Sequence, residues 1–323
     1  TGGVWISIVA AADVRGAVEG AVGGFAGPRV GEAMTGSLPG PDSHTAASAY
    51  AAGLVDAVLP AADVPAWLAA ALTTLAPPAQ RPPPGVTPLR ERADVTGGWE
   101  QVLRARARTV SGRELLDQLL TDQIPLQARY GDTTVRATVG RLEGRPVVGI
   151  ALAAELGGRP TPDGYRLAPR AFRLAGRLGL PVVSLVDTPG ADPGPASERD
   201  GIAVAMGDAL DALLTCPSPT LALVHGEGGS GGALAAAAAD LVLIGPDGYF
   251  AAIGPEGAKA ALRRPMKECA DRMRITPADL LELGFADALA EPSDIAAHLA
   301  ELAGQQTEGR QRRMPLRSSS RWR

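Results

Sequence analysis

The chain has 323 residues, of which 46% are hydrophobic, so it is long enough for one large domain or two ordinary domains with a sizeable core. A net charge of −4 gives no sign of general nucleic-acid binding, and two cysteines, Cys216 and Cys269, exclude a disulfide framework or a four-cysteine zinc site within this chain. Because no apolar run is long enough to cross a membrane and no signal peptide is visible, we expect a cytoplasmic protein that acts without a membrane.

The first part of the chain, residues 1–76, is rich in small apolar residues. It opens on Thr1-Gly2-Gly3 without a capping residue ahead of the apolar run, which predicts a domain truncated at its N-terminus. A Pro-rich stretch without hydrophobic periodicity follows, and we interpret residues 77–96 as a linker. We expect residues 97–304 to form a second domain and the basic residues 305–323 to form a disordered tail.

The second domain alternates between predicted strands and predicted helices. Short apolar runs indicate buried strands, and apolar residues at helical spacing indicate the helices between them. This alternation predicts a layered α/β fold with crossover connections. The predicted strands cover residues 147–153, 181–186, 220–225 and 240–244, and the predicted helices cover residues 163–178 and 200–214.

One pattern occurs twice along the chain. In each copy a Gly-Gly pair opens a small-residue helix that ends at an aspartate, Asp13 in the first copy and Asp240 in the second. A strand then leads into Gly-Pro and another helix, at Gly27-Pro28 and at Gly254-Pro255, and the same spacing separates the two aspartates and the two glycines. We interpret this repeat as two copies of one architecture, of which the first lacks its N-terminal strands.

The second Gly-Gly pair lies in VHGEGGSGGALAAAAAD, residues 224–240, for which local chemistry leaves three interpretations. A phosphate-binding P-loop would need a lysine after the glycines, and Gly231-Gly232-Ala233-Leu234 supplies none. Residues 226–231 match the dinucleotide pattern G-x-G-x-x-G, but no convincing ribose-binding acid follows the next strand. The phosphate-cradle interpretation is therefore the weakest of the three.

A serine nucleophile is the second interpretation. Residues 228–232 satisfy G-x-S-x-G around Ser230, and Asp287 and His298 follow in the order of the α/β-hydrolases. Against it, the serine does not sit directly at the predicted strand end, and Thr1 stands in its place in the first copy without a matching histidine. The histidines, His44, His225 and His298, are more typical of surface or strand-end residues than of a general base.

An oxyanion hole made of backbone N–H groups is the third interpretation. Glycine lets the backbone approach a ligand without a side chain in the way, and a helix that begins there adds free N–H groups and the positive end of its dipole. This interpretation accounts for both copies, through Gly2 and Gly3 in the first and Gly231 and Gly232 in the second. A single Gly-Gly would indicate only a tight turn, but two at corresponding places favour a function.

Three strings of the second half resemble the α subunit of bacterial acetyl-CoA carboxylase carboxyltransferase. They are PDGYRLAPRAFRLAGRLGLPVVSLVDTPGADPG, GEGGSGGALA and GPEGAKAAL, which begin at residues 162, 226 and 254. TGGVWISI, GGFAGPRVGEA and AAGLVDAVL, within residues 1–60, resemble the second half of the matching β subunit. The resemblance implies an α/β fold of the crotonase-like (ClpP/crotonase) type, a spiral of ββα units in two copies, the first incomplete.

The resemblance also implies an activity, the transfer of a carboxyl group from carboxybiotin on a carrier protein to an acyl-CoA, with acetyl-CoA as acceptor and malonyl-CoA as product. Carboxybiotin would release CO2, the biotin nitrogen would take the α-proton, and no side-chain base and no metal in this chain would be needed. One oxyanion hole would hold the thioester enolate and the other the ureido oxygen of biotin. The sequence does not assign the two ligands to the two holes. The implied partners are biotin carboxyl carrier protein, biotin carboxylase and further copies of the chain in a homo-oligomer. The residues that the resemblance places along the cleft are Gly228, Gly229, Ser230, Gly254, Pro255, Glu256, Gly257, Gly27 and Pro28.

Several departures from the family pattern keep alternatives open. The β-type subunit begins with a four-cysteine zinc ribbon and CoA-binding strands that this chain does not show, Gly254 replaces a serine, and His225 replaces an apolar or small residue. A biotin-dependent acyl-CoA or malonate decarboxylase subunit would use the same holes in reverse. A serine hydrolase using Ser230, Asp287 and His298 and a non-catalytic scaffold partner are the remaining alternatives.

Overall fold

The structure is a computed structural model that describes residues 15–51, 54–55, 57–75, 97–126 and 128–304. Three predictions lie outside these residues: the first-copy hole at Gly2 and Gly3, the linker at 77–96 and the tail at 305–323. Within the described helices, none is long and apolar enough to span a bilayer. The described residues also contain no group of three or more His, Cys, Asp or Glu that could hold a metal ion.

A mixed sheet forms the centre of the second domain. Within the described residues it has eight strands in the order β10-β8-β7-β6-β5-β4-β3, with β9 paired to the far end of β7. The pairs from β5 to β10 are parallel, whereas β3-β4 and β4-β5 are antiparallel. The strands are β3 (Thr121–Leu126), β4 (Val135–Leu142), β5 (Arg145–Leu152), β6 (Val182–Thr188), β7 (Thr220–Gly229), β8 (Leu241–Ile244), β9 (Tyr249–Ala251) and β10 (Ala288–Leu289).

Helices cover both faces of this sheet, as parallel strands with buried residues on both faces require. On one face Val148, Ile150 and Val224 pack against α6, α8 and α9, and on the other Leu221 and Leu223 pack against α5 and α13. The helices of this domain are α4 (Gly98–Arg106), α5 (Gly112–Leu119), α6 (Pro162–Leu178), α7 (Pro195–Arg199), α8 (Ile202–Thr215), α9 (Ser230–Ala237), α10 (Pro255–Leu262), α11 (Met266–Arg272), α12 (Pro277–Glu282) and α13 (Ile295–Gly304).

The described part of the first domain packs against the second. It consists of β1 (Gly16–Val18), α1 (Pro28–Thr35), α2 (Ala46–Ala51), β2 (Ala57–Leu59) and α3 (Val64–Leu75). The buried residues Phe25 and Ala26 join the main hydrophobic core. The Glu198 carboxylate accepts the N–H of Ala26 at 2.7 Å, and it lies 3.7 Å from Nε2 of His44. This contact between a partly buried carboxylate and two first-domain segments fixes them on α7.

The structure repeats the order of elements that the sequence predicted. The parallel pair β1-β2 corresponds to β8-β10, and α1 corresponds to α10. Both of these helices begin after a glycine with nearly the same backbone angles: φ −59° and ψ 151° at Gly27, and φ −60° and ψ 153° at Gly254. Helices α1 and α10 also contact each other. Since β1 and β2 are only three residues long each, the first copy is the smaller of the two in the described residues.

The predicted elements of the second domain are confirmed with two differences. The strand predicted over 220–225 continues through the glycines to Gly229, because β9 and Thr188 of β6 pair with its last residues. The segment before residue 147, for which no elements were predicted, contains α4, α5, β3 and β4. Pro169 lies inside α6 without ending that helix.

Candidate functional site

The glycine-rich segment forms the junction between β7 and α9. Gly229 ends the strand and caps the helix, but a glycine has no side chain to accept the first N–H groups of α9, and no side-chain cap is present. Ser230 follows with a φ of 58°, a left-handed value that turns the chain sharply into the helix. The amino end of α9 therefore keeps free N–H donors next to Gly231 and Gly232.

The turn after β6 brings a second donor to the same place. A Cβ atom on Gly232 would lie 2.5 Å from the nitrogen of Ala191 and 2.8 Å from the hydroxyl oxygen of Tyr165. Ala191 is fully buried, and within the described residues its N–H donates to no other group. Because an unpaired buried N–H is costly, a donor beside a helix N-terminus is suited to bind an oxyanion.

Close packing explains the other glycines of the run. A Cβ on Gly229 would lie 2.2 Å from the carbonyl of Pro189, and one on Gly228 would lie 2.6 Å from the carbonyl oxygen of Tyr249. A Cβ on Gly226 would lie 2.1 Å from a carboxylate oxygen of Asp187. These three positions need glycine so that neighbouring backbone and side chains can approach. A contact of Gly228 or Gly229 with substrate stays a prediction.

The predicted turn Gly254-Pro255-Glu256-Gly257 lies against the same loop. A Cβ on Gly254 would be 3.3 Å from the carbonyl oxygen of Pro189, which also touches Gly229. Pro255 is the first residue of α10, and Glu256 in its first turn accepts a 2.7 Å contact from Nη2 of Arg106. The structure therefore brings the Gly254 turn and the Gly229 turn together at the Pro189 loop. That the two turns line one substrate cleft stays a prediction.

Gly27 and Pro28 lie at the start of α1, on the other copy of the repeat. They correspond to Gly254 and Pro255, and α1 packs beside α10. A Cβ on Gly31, in the second turn of α1, would lie 3.6 Å from the carbonyl oxygen of Pro193. The helix that Gly27 begins is thus placed beside the loop that follows Ala191. A direct role for Gly27 or Pro28 stays a prediction.

A partly buried ion cluster lies behind the Gly run. The carboxylate of Glu227 accepts hydrogen bonds from Nε of Arg106 at 2.9 Å and from the hydroxyl of Tyr249 at 2.7 Å. Burial opposes the charge on Arg106, but its attraction to Glu227 and Glu256 raises its pKa above the usual range. Burial, together with the charge of Glu227, raises the pKa of Tyr249, so the phenol stays protonated and donates. The paired charges fix the strand end rather than offer a base.

The structure also explains His225, whose presence before the glycines could not be explained from the sequence. Nη2 of Arg108 contacts Nδ1 of His225, and since a guanidinium only donates, Nδ1 must accept and the imidazole is neutral with its proton on Nε2. Burial, and then the charge of Arg108, lower the pKa of His225 well below its usual value. Burial also raises the pKa of Asp187 to about 6, although Arg108 lies 3.8 Å away. His225 is a structural residue held beside the strand.

The serine-hydrolase triad is not assembled. The Asp287 carboxylate accepts the N–H of Val242, whose partner on β7 is Ala222, whereas Ser230 follows the other end of that strand. At about 3.3 Å per strand residue, the eight residues from Ala222 to Ser230 span about 26 Å. Asp287 therefore cannot orient a histidine at Ser230, and the hydrolase hypothesis is wrong in its predicted form.

Sequence reasoning missed Arg106, Tyr165 and Ala191 as residues of this region, and also Arg159, whose Nη1 lies 3.5 Å from the carbonyl oxygen of Ala191. Arg106 lies on a helix that was not predicted, and Tyr165 lies inside the predicted α6, where an aromatic residue indicates core. The signal that could have identified Ala191 was the DTPGADPG string itself. In a parallel sheet, loops that follow neighbouring strands meet at one edge, and β6 is next to β7.

Comparison with known proteins relates this chain to carboxyltransferases. A family model described as acetyl co-enzyme A carboxylase carboxyltransferase-like matches residues 99–311. The acetyl-coenzyme A carboxylase carboxyl transferase subunits beta/alpha of Salinispora arenicola are 39% identical over 329 residues, which cover 92% of this chain and 57% of that protein. The corresponding subunit alpha of Acidiphilium cryptum is 41% identical over 207 residues, 58% of this chain and 64% of that protein. The chain thus spans just over half the length of the fused relative.

Solved structures show the same fold. Transcarboxylase 12S with hydrolysed methylmalonyl-coenzyme A bound matches with a TM-score of 0.56 and 21% identity, over 92% of this chain and 62% of that chain. The β subunit of geranyl-CoA carboxylase from P. aeruginosa matches with a TM-score of 0.54 and 21% identity, over 96% of this chain and 62% of that chain. At this identity the likeness shows the fold, and it confirms the predicted crotonase-like α/β architecture.

Proposed function

The chain belongs to the acetyl-CoA carboxylase carboxyltransferase family, and we propose that it transfers a carboxyl group to the α-carbon of acetyl-CoA to give malonyl-CoA. The observation that supports this proposal most strongly is the pairing of the free Ala191 N–H with the amino end of α9 at Gly232. Carboxylation at the α-carbon of a thioester requires an enolate, whose oxygen carries the developing charge. Fixed N–H donors at a buried site stabilise such a charge without reorganisation.

The residues present fit a carbonyl oxygen better than a phosphate. The donors are backbone N–H groups next to glycines, and in the described residues no lysine follows them into α9. Both a thioester and the ureido group of biotin present one oxygen of this kind. Carboxybiotin, bound to a carrier protein, would supply the carboxyl group. We leave open whether Gly231 and Gly232 hold the thioester or the biotin oxygen.

The contacts of the described side chains suit them to position the loops of the hole rather than to transfer a proton. Glu227 is held by Arg106 and Tyr249, and His225 is neutral and buried. Thr188 fixes the Pro189 loop, because its hydroxyl oxygen accepts the N–H of Gly190 at 3.1 Å. We therefore propose that these residues hold the two turns of the hole in place and that the biotin group itself accepts the proton from the α-carbon.

The proposed assembly follows from the same family. We propose that biotin carboxyl carrier protein and biotin carboxylase are its partners, that the enzyme is a homo-oligomer and that it acts in the cytoplasm. Gly2 and Gly3 would form the second hole, and Gly228, Gly229, Ser230, Gly27, Pro28 and the Gly254 turn would line the cleft between the two holes.

Malonyl-CoA-dependent carboxylation of biocytin, the reverse half-reaction, tests the proposal in the full-length protein. We expect Gly232→Val to abolish this activity, because the added side chain must displace the Ala191 peptide. Ser230→Ala should retain most of it, since no step uses the hydroxyl. A folded wild-type protein without the exchange activity, but with an esterase activity that depends on Ser230, would contradict the proposal.

The same assay addresses the decarboxylase alternative, which would use the same holes. A subunit that decarboxylates malonyl-CoA without biotin releases CO2 and forms no carboxybiocytin, whereas a biotin-dependent decarboxylase forms it as the carboxylase does. Product analysis with labelled malonyl-CoA therefore tests biotin dependence: label retained in carboxybiocytin supports carboxyl transfer, and label released as CO2 at the same rate without biocytin contradicts it. Formation of malonyl-CoA from acetyl-CoA when biotin carboxylase, carrier protein, ATP and bicarbonate are added then separates a carboxylase from a biotin-dependent decarboxylase.

A further inference from the structure

Tyr165 places a buried hydroxyl beside the candidate hole. The residue lies near the start of α6, and its side chain is fully buried in the main hydrophobic core together with Ala191. Its hydroxyl oxygen lies 2.8 Å from the Cβ position of Gly232, and the nitrogen of Ala191 lies 2.5 Å from the same position. The hydroxyl and the Ala191 N–H therefore converge on the amino end of α9.

The start of α6 is held against the loop that follows β6. The Thr161 hydroxyl caps α6 by accepting the N–H of Gly164 at 3.2 Å, and the Pro160 carbonyl accepts the N–H of Asp192 at 3.0 Å. A Cβ on Gly164 would lie 2.3 Å from Oγ1 of Thr134, so α6 packs directly on the segment before β4. These contacts fix the side chain of Tyr165 in place, and a donor that is fixed in advance needs no reorganisation when it binds a ligand.

The hydroxyl of Tyr165 has no hydrogen-bond partner within the described part of the chain, although it is buried away from solvent. A buried hydroxyl without a partner destabilises a fold, and phenylalanine would fill the same space without that cost. Burial raises the pKa of this phenol above its usual value, against the opposing charge of Arg159. The phenol therefore keeps its proton and has one donor that the fold does not use.

The ligand that suits this donor is an oxygen that gains negative charge during the reaction. The thioester oxygen and the ureido oxygen of biotin both gain such a charge when a carboxyl group moves between malonyl-CoA and biotin. A neutral hydroxyl in a site without water stabilises that charge in the same way as a backbone N–H group does.

We propose that the hydroxyl of Tyr165 donates a hydrogen bond to the carbonyl oxygen held in the candidate hole, as a third donor beside the N–H groups of Ala191 and Gly232. The inference rests on the proposed function and adds a catalytic side chain to it. The hole then consists of two backbone donors and one side-chain donor, which come from the loop after β6, the start of α9 and the start of α6.

Tyr165→Phe tests the inference because it removes only the hydroxyl. In the malonyl-CoA-dependent carboxylation of biocytin by the full-length protein, we expect kcat to fall by about 100-fold. The KM of either substrate should change less than about 2-fold, since the donor acts on charge that develops in the transition state. The melting temperature should stay the same or rise, because the hydroxyl has no partner in the fold.

Ser184→Ala is the matched control. The hydroxyl of Ser184 is also buried without a partner in the residues that the structure describes. It lies on β6 four residues before Thr188, about 13 Å along the strand from the loop that holds Ala191. Ser184→Ala should keep the wild-type kcat and KM, because it removes a hydroxyl of the same kind that does not face the hole.

The slow release of CO2 from malonyl-CoA without biocytin identifies the oxygen that the hydroxyl contacts, because the thioester is then the substrate group present. If this release falls in Tyr165→Phe as much as the exchange does, the oxygen is that of the thioester. If the release is unchanged while the exchange is lost, the oxygen is the ureido oxygen of biotin. Either result supports the third donor.

A kcat loss smaller than about 10-fold in Tyr165→Phe, or an equal loss in Ser184→Ala, would overturn the inference. A lower melting temperature of Tyr165→Phe would also overturn it, because the hydroxyl would then stabilise the fold rather than the reaction. A folded wild type without exchange activity removes the proposed function and the inference with it. An active wild type with an equally active Tyr165→Phe removes the inference alone.

Discussion

Gly232→Ala is the smallest change that tests the geometry of the hole. The added Cβ would lie 2.5 Å from the nitrogen of Ala191 and 3.1 Å from the carbonyl carbon of Gly190. Both are backbone atoms, so neither can rotate away as the end of a flexible side chain could. The peptide that carries the Ala191 N–H must therefore move. Removing one donor from an oxyanion hole typically lowers kcat by about 100-fold to 1,000-fold, and we expect a loss of that size.

The effect on stability should be much smaller. Overpacking costs about 1–3 kcal/mol, while alanine in place of glycine inside a helix regains up to about 1 kcal/mol. The net change in unfolding free energy is then a loss of about 0–2 kcal/mol. Such a protein remains folded at the assay temperature, so its lost activity reports on the hole.

Gly176→Ala supplies the control for this comparison. Gly176 also lies inside a helix, α6, and its Cβ would lie 2.7 Å from Cδ of Pro217, far along the chain from the β7 junction. The two variants share the helix gain and the steric cost, and only Gly232 faces the Ala191 N–H. The exchange assay gives kcat and KM, and thermal melting gives stability. If Gly232→Ala keeps more than a tenth of the wild-type kcat, or Gly176→Ala loses as much, the reasoning is refuted.

Two further predictions concern buried polar groups of the sheet. His225 is neutral in the folded protein because its pKa is depressed, while in the unfolded chain it binds a proton below about pH 6.5, so its contribution to stability is complete above that pH and is lost as the pH falls. Between pH 7 and pH 5, the unfolding free energy of the wild type should therefore fall by up to about 2 kcal/mol more than that of His225→Asn, which keeps an acceptor for Arg108. Urea titrations measure both pH profiles, and parallel profiles would contradict this. The Asp240 carboxylate accepts the N–H and hydroxyl of Thr220 at 2.9 and 3.1 Å, and Asp240→Ala should destabilise by about 1–3 kcal/mol, with Asp211→Ala on exposed α8 surface as a control that changes less than about 0.5 kcal/mol.

The sequence was sufficient for the parallel core of the second domain because its strands are continuous apolar runs between helical patterns. It was insufficient for 97–142, because β3 has no buried residue to mark a strand and follows a helix whose capping box, Ser111 with Glu114, was not recognised. It also ended β7 at residue 225, since glycines normally weaken a strand. Here pairing with β9 and with Thr188 outweighs that preference, which no local pattern reveals.

Only part of the candidate site could be predicted from the sequence. Gly232 could be identified because its helix begins at a repeated Gly-Gly, a pattern within one segment. Ala191 and Arg159 could not, because their positions depend on the strand order, which places the loop after β6 beside the end of β7. Arg159 in particular is placed by hydrogen bonds of its neighbours, Gly158 and Pro160, to that loop. Long-range contacts of this kind leave no periodicity in the sequence.

The glycines of the run therefore divide into two physical classes that look identical in the sequence. At Gly226, Gly228 and Gly229 a side chain would overlap a strand neighbour, a requirement that any tight sheet edge imposes. At Gly232 it would overlap the Ala191 peptide, whose buried N–H has no partner in the described residues and lies at the amino end of α9. The first class accounts for folding, and the second supports the proposed oxyanion hole. Because Gly27 and Gly254 adopt the same backbone angles in the two copies, the repeat extends to helix starts that are described in both. The same symmetry is the reason to expect a second pair of donors at Gly2 and Gly3.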